Sequence, residues 1–411
     1  MPVSELRQLS WPAVAAGLDA RDRLRHLIAG ALRTGRPLAV WREPGAAQPR
    51  LLVARSLEAA YTGLPPALDA AAPAGFAFFP FRDSDHNPAL FLPADVRYEV
   101  ARPEAVAVAA AARDLVPALT AWLASPPPAE ALAWHHSRQP VPHAATEAEY
   151  TALVRTGVAA IVSKAVVKVV SSRATRRPLP AGFDPLGAFH ELCGRYAQAF
   201  VSLVSVPGVG TWLGASPEVL AEVTADGHFH TMALAGTQPL AAGLVPQAAI
   251  WRQKEIEEQA LVARYIVSCF KQLRLREYQE TGPRTVVAGQ LLHLRTDFEV
   301  NLRQVPSPSL STDMLRLLHP TSAVGGMPKA AALAFLEQYE GYDRAYYSGF
   351  LGPVNVSAPG IARLYVNLRC LQLRPAEAIL YAGTGLTVDS DPAREWEETA
   401  MKLQTVATVL Q

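Results

Sequence analysis

Two short runs carry acids and lysines at helical spacing. SDPAREWEETAMKL (390–403) holds Glu395, Glu397, Glu398 and Lys402 within about two turns. KEIEEQALV (254–262) places Lys254 four residues before Glu258. Each Glu/Lys pair, taken alone, reads as an exposed i,i+4 ion pair worth roughly 0.2–0.5 kcal/mol. Two carboxylates on separate helices can instead share one Mg2+. That ion takes few protein carboxylates, keeps several waters and leaves positions for substrate oxygens. A lysine beside such a site meets a further anionic group of the ligand.

Other residues allow acid and base chemistry. Glu218, in LGASPEVL, has apolar neighbours. It is either a surface carboxylate at a strand start or a carboxyl kept protonated near neutral pH, fit to act as a general acid. Lys168 interrupts the apolar run VVKVVSS. It is either an outward lysine on a half-solvated sheet or a desolvated amine able to take a proton from water. LAGT (234–237) and AGTG (382–385) bring backbone amides within reach of a ligand, or are plain turns. Arg369, read as lying mid-strand in YVNLRCLQLR, either points outward or binds a carboxylate through its fork. No phosphate-loop, dinucleotide or zinc motif is present, and VPGVG (206–210) has no helix following it.

These groups need positioning. The 411 residues, half of them hydrophobic, suffice for a large core. A formal net charge of +1 leaves no basic footprint for nucleic acid. No apolar run is long enough to span a membrane. The N-terminus MPVSELRQLSW lacks the features of a signal peptide. Three scattered cysteines fit neither a disulfide framework nor a zinc site, so a cytoplasmic location is expected.

Periodicity predicts a helix over 1–35, a hairpin over 37–55 and a loop over 63–75. FAFFPF (76–81) reads as a strand that Pro80 confines to an edge or bulge. The proline-rich stretch 125–145 reads as a linker. From Glu147 onward helices are expected at 147–164, 249–273 and from Pro392 to Leu410, with a meander of strands over 199–237. ARLYVNLRCLQLR is expected to be one strand. Hairpin-joined strands with a few helices argue α+β with largely antiparallel sheets.

Read in order, KVVSSR, LGASPEVL, LAGT, KEIEEQALV, LHPTSAVGGMP, YYSGFLGPV, VNLRC and AGTGLTVDSDPAREWEETAMKL resemble the chorismate-utilising enzymes. That group includes isochorismate and salicylate synthases and the large subunits of anthranilate and aminodeoxychorismate synthases. The resemblance covers roughly 147–411, leaving 1–146 as a divergent half of one domain. It implies the anthranilate-synthase-like fold, with two packed, largely antiparallel sheets and helices outside. It implies chorismate as substrate and Mg2+ as cofactor, in a monomer or homodimer.

Residue by residue, Glu258 and Glu398 would hold the metal with Glu395 just behind. Lys402 and the amides of Gly383 and Gly385 would meet one substrate carboxylate, and Arg369 and Tyr347 the other. Gly236 and Thr237 would line the ring pocket, with His319 on its floor. Lys168 would be the general base and Glu218 the general acid. The family's usual histidine after the metal glutamate is Gln259 here. Lys168, where ammonia-using members resemble one another in having glutamine, points to water as nucleophile. Ala323, where salicylate synthases tend to have threonine, points to isochorismate as product. The rivals are salicylate synthase and a non-catalytic chorismate-binding subunit.

Overall fold

The computed structural model describes residues 6–12, 17–58, 66–126, 130–240, 245–289, 291–305 and 307–411. Parts of the expected N-terminal helix, of the 63–75 loop and of the proline-rich stretch lie outside the described residues. Among the described residues every ladder between strands is antiparallel, and the strands form two sheets.

The first sheet has eleven strands. In spatial order they are Arg7–Ser10, Ala105–Val108, Val96–Glu99, Arg50–Val53, Leu38–Arg42, Phe200–Val206, Gly210–Ser216, Cys370–Leu373, Glu377–Leu386, Lys168–Pro178 and Gly326–Met327. The second has eight: Gln279–Ala288, Leu291–Asn301, His228–Pro239, Val219–Val223, Ala362–Val366, Phe350–Val354, Gly75–Phe79 and Leu90–Pro93. Each sheet joins a block of strands from before residue 147 to a block from after it, at Leu38–Arg42 beside Phe200–Val206 in the first and Gly75–Phe79 beside Phe350–Val354 in the second, so the two halves share one pair of sheets. The chain is α+β with two antiparallel sheets, as the resemblance implies.

Large aromatic side chains fill the space between the sheets. Phe200 of the first stacks on Tyr365 of the second with centroids 4.2 Å apart, and Trp212 meets Phe78 edge-on at 6.4 Å. Such rings bury much apolar surface each, and their offset and edge geometries favour a fixed sheet spacing. Helices cover the outer faces. Gln253–Gln272 lies on the His228–Pro239 strand, and Pro392–Ala407 lies on Glu377–Leu386. The second of these starts cleanly: the Asp391 carboxylate accepts from the Arg394 amide at 3.0 Å and Pro392 occupies the first turn.

Several expectations are corrected. The N-terminal region holds the strand Arg7–Ser10 before its helix, Ala20–Arg33. The strand Gly75–Phe79 lies between two partners, and Pro80 falls just past its end, where no ladder bond is needed. The described part of 125–145 is no free linker. Arg374 donates to the carbonyls of Ser137, Gln139 and Pro140 and lays that segment along the first sheet. The last helix ends at Ala407 and gives way to a 3-10 turn, Thr408–Leu410.

The most instructive correction concerns ARLYVNLRCLQLR. It forms two strands in different sheets, Ala362–Val366 and Cys370–Leu373. Arg369 sits at the crossing with φ +50°, a left-handed conformation that a strand interior would not hold. A second crossing runs beside it, from Ser216 in the first sheet to Val219 in the second, with Glu218 at the corner. The two are laced together: the Val366 amide donates to the Glu218 carbonyl at 3.0 Å, and the Ala215 amide to the Arg369 carbonyl at 3.1 Å. Gly214 permits this approach, since a Cβ there would lie 2.8 Å from that of Cys370.

Candidate active site

The paired crossings form the back of a cleft enclosing about 640 Å³ of atom-free space, counted out to its mouth. Its wall contains Glu218, Gly236, Thr237, Glu258, Ala323, Tyr347, Arg369, Gly383, Gly385 and Lys402, ten of the positions singled out by sequence. Three more lie just behind that lining. Lys168 Nζ is 3.1 Å from Glu258 Oε1, and Glu398 Oε1 is 2.7 Å from Lys402 Nζ. Glu395 is reached through Lys254, whose Nζ bonds its Oε1 and lies 3.7 Å from Glu398 Oε2.

His319 is elsewhere. Its Nε2 lies 3.0 Å from the Pro80 carbonyl and its ring meets Phe350 edge-on. Burial, with Lys329 nearby, lowers its pKa to about 3. It is a neutral packing histidine, which corrects its expected place on the cleft floor.

AGTG is no turn. Gly383 and Gly385 lie inside the strand Glu377–Leu386, opposite Ser172 and Val170. The neighbouring Cys370–Leu373 strand pairs only as far as Leu380, so the rest of that edge has no strand partner. Ladder alternation points the Thr384 groups toward the Lys168 strand and the Gly383 and Gly385 groups away from it. Lys402 Nζ takes up one of these, donating to the Gly383 carbonyl at 2.9 Å. A Cβ at Gly385 would fall on Glu258 Oε1 and 3.0 Å from Lys168 Cε, so any side chain there must displace the Glu258 carboxylate.

The charges are concentrated and buried. Lys168 is fully buried, and Glu258, Glu218 and Glu395 are 8%, 4% and 1% exposed. Four carboxyls (Glu218, Glu258, Glu395, Glu398) lie among four basic side chains (Lys168, Lys254, Lys402, Arg369). Burial raises the Glu218 carboxyl to about 8, against the pull of Lys168, Lys402 and Arg369. It is therefore protonated at neutral pH. Burial acts the same way on Glu258, but Lys168, Lys254 and Lys402 outweigh it and hold that carboxyl below its usual range. Two buried glutamates are thus pushed apart in pKa, one toward an acid and one toward an anion. Burial lowers Arg369 to about 10, opposed by Tyr347 and Glu398, so it stays charged.

Sequence reasoning missed His293. It lines the cleft, its Nδ1 lies 2.7 Å from the Gly236 carbonyl, and its Nε2 lies 3.4 Å from an Arg369 nitrogen. Burial, followed by Arg369, lowers its pKa to about 3. A carbonyl only accepts, so the proton sits on Nδ1 and Nε2 faces Arg369 as an acceptor. In QLLHLRTDF nothing separates it from a satisfied core histidine. Part of the lining is apolar: Tyr347 stacks on Tyr381 at 5.3 Å, and Val170 and Leu368 also contribute.

Among the described residues no set of three or more His, Cys, Asp or Glu side chains is already gathered around a common metal position. Mg2+ needs fewer, commonly one or two carboxylates with the rest water and substrate. Glu258 and Glu398 offer an all-oxygen donor set of that kind. Glu395 Oε2 is buried without a hydrogen-bond partner, an orphaned oxygen acceptor on that side. The residues therefore fit a hard divalent ion.

Residues 105–411 match the family described as chorismate binding enzyme. The salicylate biosynthesis isochorismate synthase of Pseudomonas aeruginosa is 33% identical over 269 residues, 64% of this chain and 54% of that protein. The match thus spans about half the length of that relative. Isochorismate synthase EntC of Escherichia coli is 28% identical over 282 residues, 66% of this chain and 68% of that protein. The fold resembles that of MenF, the menaquinone-specific isochorismate synthase from Escherichia coli. Its TM-score is 0.74 at 20% identity, over 100% of this chain and 95% of that one. Anthranilate synthase component I from Streptococcus pneumoniae gives 0.59 at 18% identity, over 90% and 89%. The chain belongs to the chorismate-binding enzyme family.

Proposed function

We propose that the chain is a Mg2+-dependent isochorismate synthase, converting chorismate to isochorismate in the cytoplasm for menaquinone or siderophore biosynthesis. The observation that carries this reading is the pairing of a fully buried lysine, Lys168, with a protonated buried carboxyl, Glu218, about one cleft. Chorismate-to-isochorismate conversion needs a base for water at C2 and an acid for the hydroxyl leaving C4. In this reading Lys168, in the neutral amine form it must reach before the attack, accepts the proton of the attacking water at Nζ. Glu218 gives its proton to the departing C4 hydroxyl, and the ring double bonds shift between those two events.

Lys402 and the Gly383 and Gly385 edge orient the ring carboxylate, while Arg369 and Tyr347 hold the enolpyruvyl carboxylate. The apolar Tyr347–Tyr381 side packs the ring and restricts water, which strengthens every charge contact inside. Glu258 and Glu398, with Glu395 behind, would hold Mg2+, which would supply positive charge toward an anionic substrate group. The donor set described above supports that assignment. Lys168 where the ammonia users have glutamine, and Ala323 in the wall, favour water as nucleophile and isochorismate as end product.

The test is incubation of the purified chain with chorismate and Mg2+, with products separated by chromatography and salicylate followed by fluorescence. Isochorismate is expected. Salicylate with pyruvate as the dominant product at neutral pH would replace this reading with salicylate synthase. Chorismate binding with no product in either channel would replace it with a non-catalytic binding subunit.

A further inference from the structure

The Lys168 strand has an edge that no strand completes. Gly326 and Met327 pair with Val169 and Lys168, and the Gly325 carbonyl accepts from the Val170 amide at 3.1 Å. Beyond that point the Val170 carbonyl and the Ser172 amide, which face the same edge by alternation, have no ladder partner. Two side chains from the end of the helix Lys329–Tyr339 and the turn after it take their place. An Arg344 nitrogen donates to the Val170 carbonyl at 2.7 Å, and Glu340 accepts from the Ser172 amide at 2.7 Å and the Ser172 hydroxyl at 2.8 Å. The pair reproduces the donor and acceptor that a neighbouring strand would have offered.

The same two residues are joined to each other by two bonds of 2.6 Å, and a further Arg344 nitrogen donates to the Val324 carbonyl at 2.7 Å. Their side chains are 2% and 3% exposed. Arg344 thus ties together the Lys168 strand, the loop carrying Ala323 and Val324, and Glu340. The opposite edge of the Lys168 strand is the one that faces Gly383 and Gly385. A buried ion pair is seldom more stable than apolar side chains of similar volume, so stability alone is a poor reason for one here.

We propose that Glu340 and Arg344 are positioning residues for the reaction: they act as a two-residue substitute strand that fixes the register of Lys168 against the glycine edge and the Ala323 loop. This rests on the reading of Lys168 as the base. The pair does not line the cleft, so it acts through the strand and not on the substrate.

The test compares wild type, the double variant Glu340→Leu/Arg344→Met and the single variant Arg344→Lys. The double variant removes both charges and leaves no buried ion unpaired. Arg344→Lys keeps the charge opposite Glu340 but loses the fork that reaches two carbonyls at once. Each variant is expected to lose on the order of 10²-fold in kcat, the cost of misplacing a catalytic group by about 1 Å, with KM for chorismate within about threefold. A folded double variant with wild-type kcat would overturn the proposal. If the double variant does not fold, Arg344→Lys decides by the same criterion.

Amide hydrogen exchange over residues 168–173 is read in parallel and depends on no substrate. Faster exchange there in a folded variant is expected, and unchanged exchange overturns the proposal even if wild type turns over no chorismate. Lack of wild-type turnover by itself counts against the isochorismate reading, which keeps the two failures distinct.

Discussion

Glu218 is where the electrostatics make the sharpest demand. Its carboxyl titrates near 8 in the fold, against a usual value of 4.5. Each pKa unit corresponds to about 1.4 kcal/mol, so the shift corresponds to about 5 kcal/mol of lost stability in the charged form. The sign follows from linkage. Below about pH 4.5 both folded and unfolded chains carry the proton and nothing is lost. As pH rises from there the unfolded chain releases its proton while the folded chain retains it. Stability therefore falls across the window and the loss is complete as pH passes 8.

Glu218→Gln keeps the shape and removes the titration. Relative to wild type, its melting temperature should rise across that window and level off above pH 8. With an unfolding entropy of about 2.1 cal/mol/K per residue, the full difference is about 6 °C. The same variant should lose about 10²- to 10⁴-fold in kcat, because Gln cannot give up a proton to the C4 oxygen. In wild type, kcat/KM should fall as pH rises through about 8. The reasoning fails if the melting difference is flat from pH 5 to 8, or if Glu218→Gln turns over at the wild-type rate.

Three further outcomes are expected. Lys168→Met should lower kcat by about 10²- to 10⁴-fold while chorismate still binds in calorimetry; retained turnover would remove Lys168 from its role. Gly385→Ala forces Glu258 and its lysine partner apart, so a loss of about 1–3 kcal/mol in denaturant unfolding should accompany loss of turnover. Chelation should abolish turnover and Mg2+ should restore it. Glu258→Gln and Glu398→Gln should each weaken Mg2+ binding measured by calorimetry, and unchanged affinity in both would move the metal elsewhere.

The distribution of what could be read in advance has a physical basis. Acids and lysines at helical spacing are legible because a helix fixes which residues share a face within one turn. Lys254 shows the limit of that logic. Its i,i+4 neighbour is Glu258, yet its ion pairs run across to Glu395 and Glu398 on another helix. Local spacing reports neighbours on one element, whereas the site is assembled from several. His293 and His319 fail for a related reason. Each stands among apolar neighbours, one facing the cleft and the other a packed backbone carbonyl. Only tertiary placement separates them, and the family resemblance pointed to His319 alone.

Arg369 is the most informative case, because the error lay in the backbone rather than the side chain. A run rich in alternating apolar residues reads as one strand, yet its phase slips by one just after Arg369: polar residues stand at Arg363, Asn367 and Arg369 and then at Gln372 and Arg374. Both sheets bury the same kind of residue, so the chain crosses from one to the other with no change in composition to mark the step. In the backbone the crossing is marked by a left-handed residue, and it is stabilised by the neighbouring detour through Glu218. The acid and the guanidinium owe their shared position to that architecture. Each sits at a corner where regular pairing stops and a side chain is free to face the cleft. The two corners cannot move independently, because each donates a backbone hydrogen bond to the other.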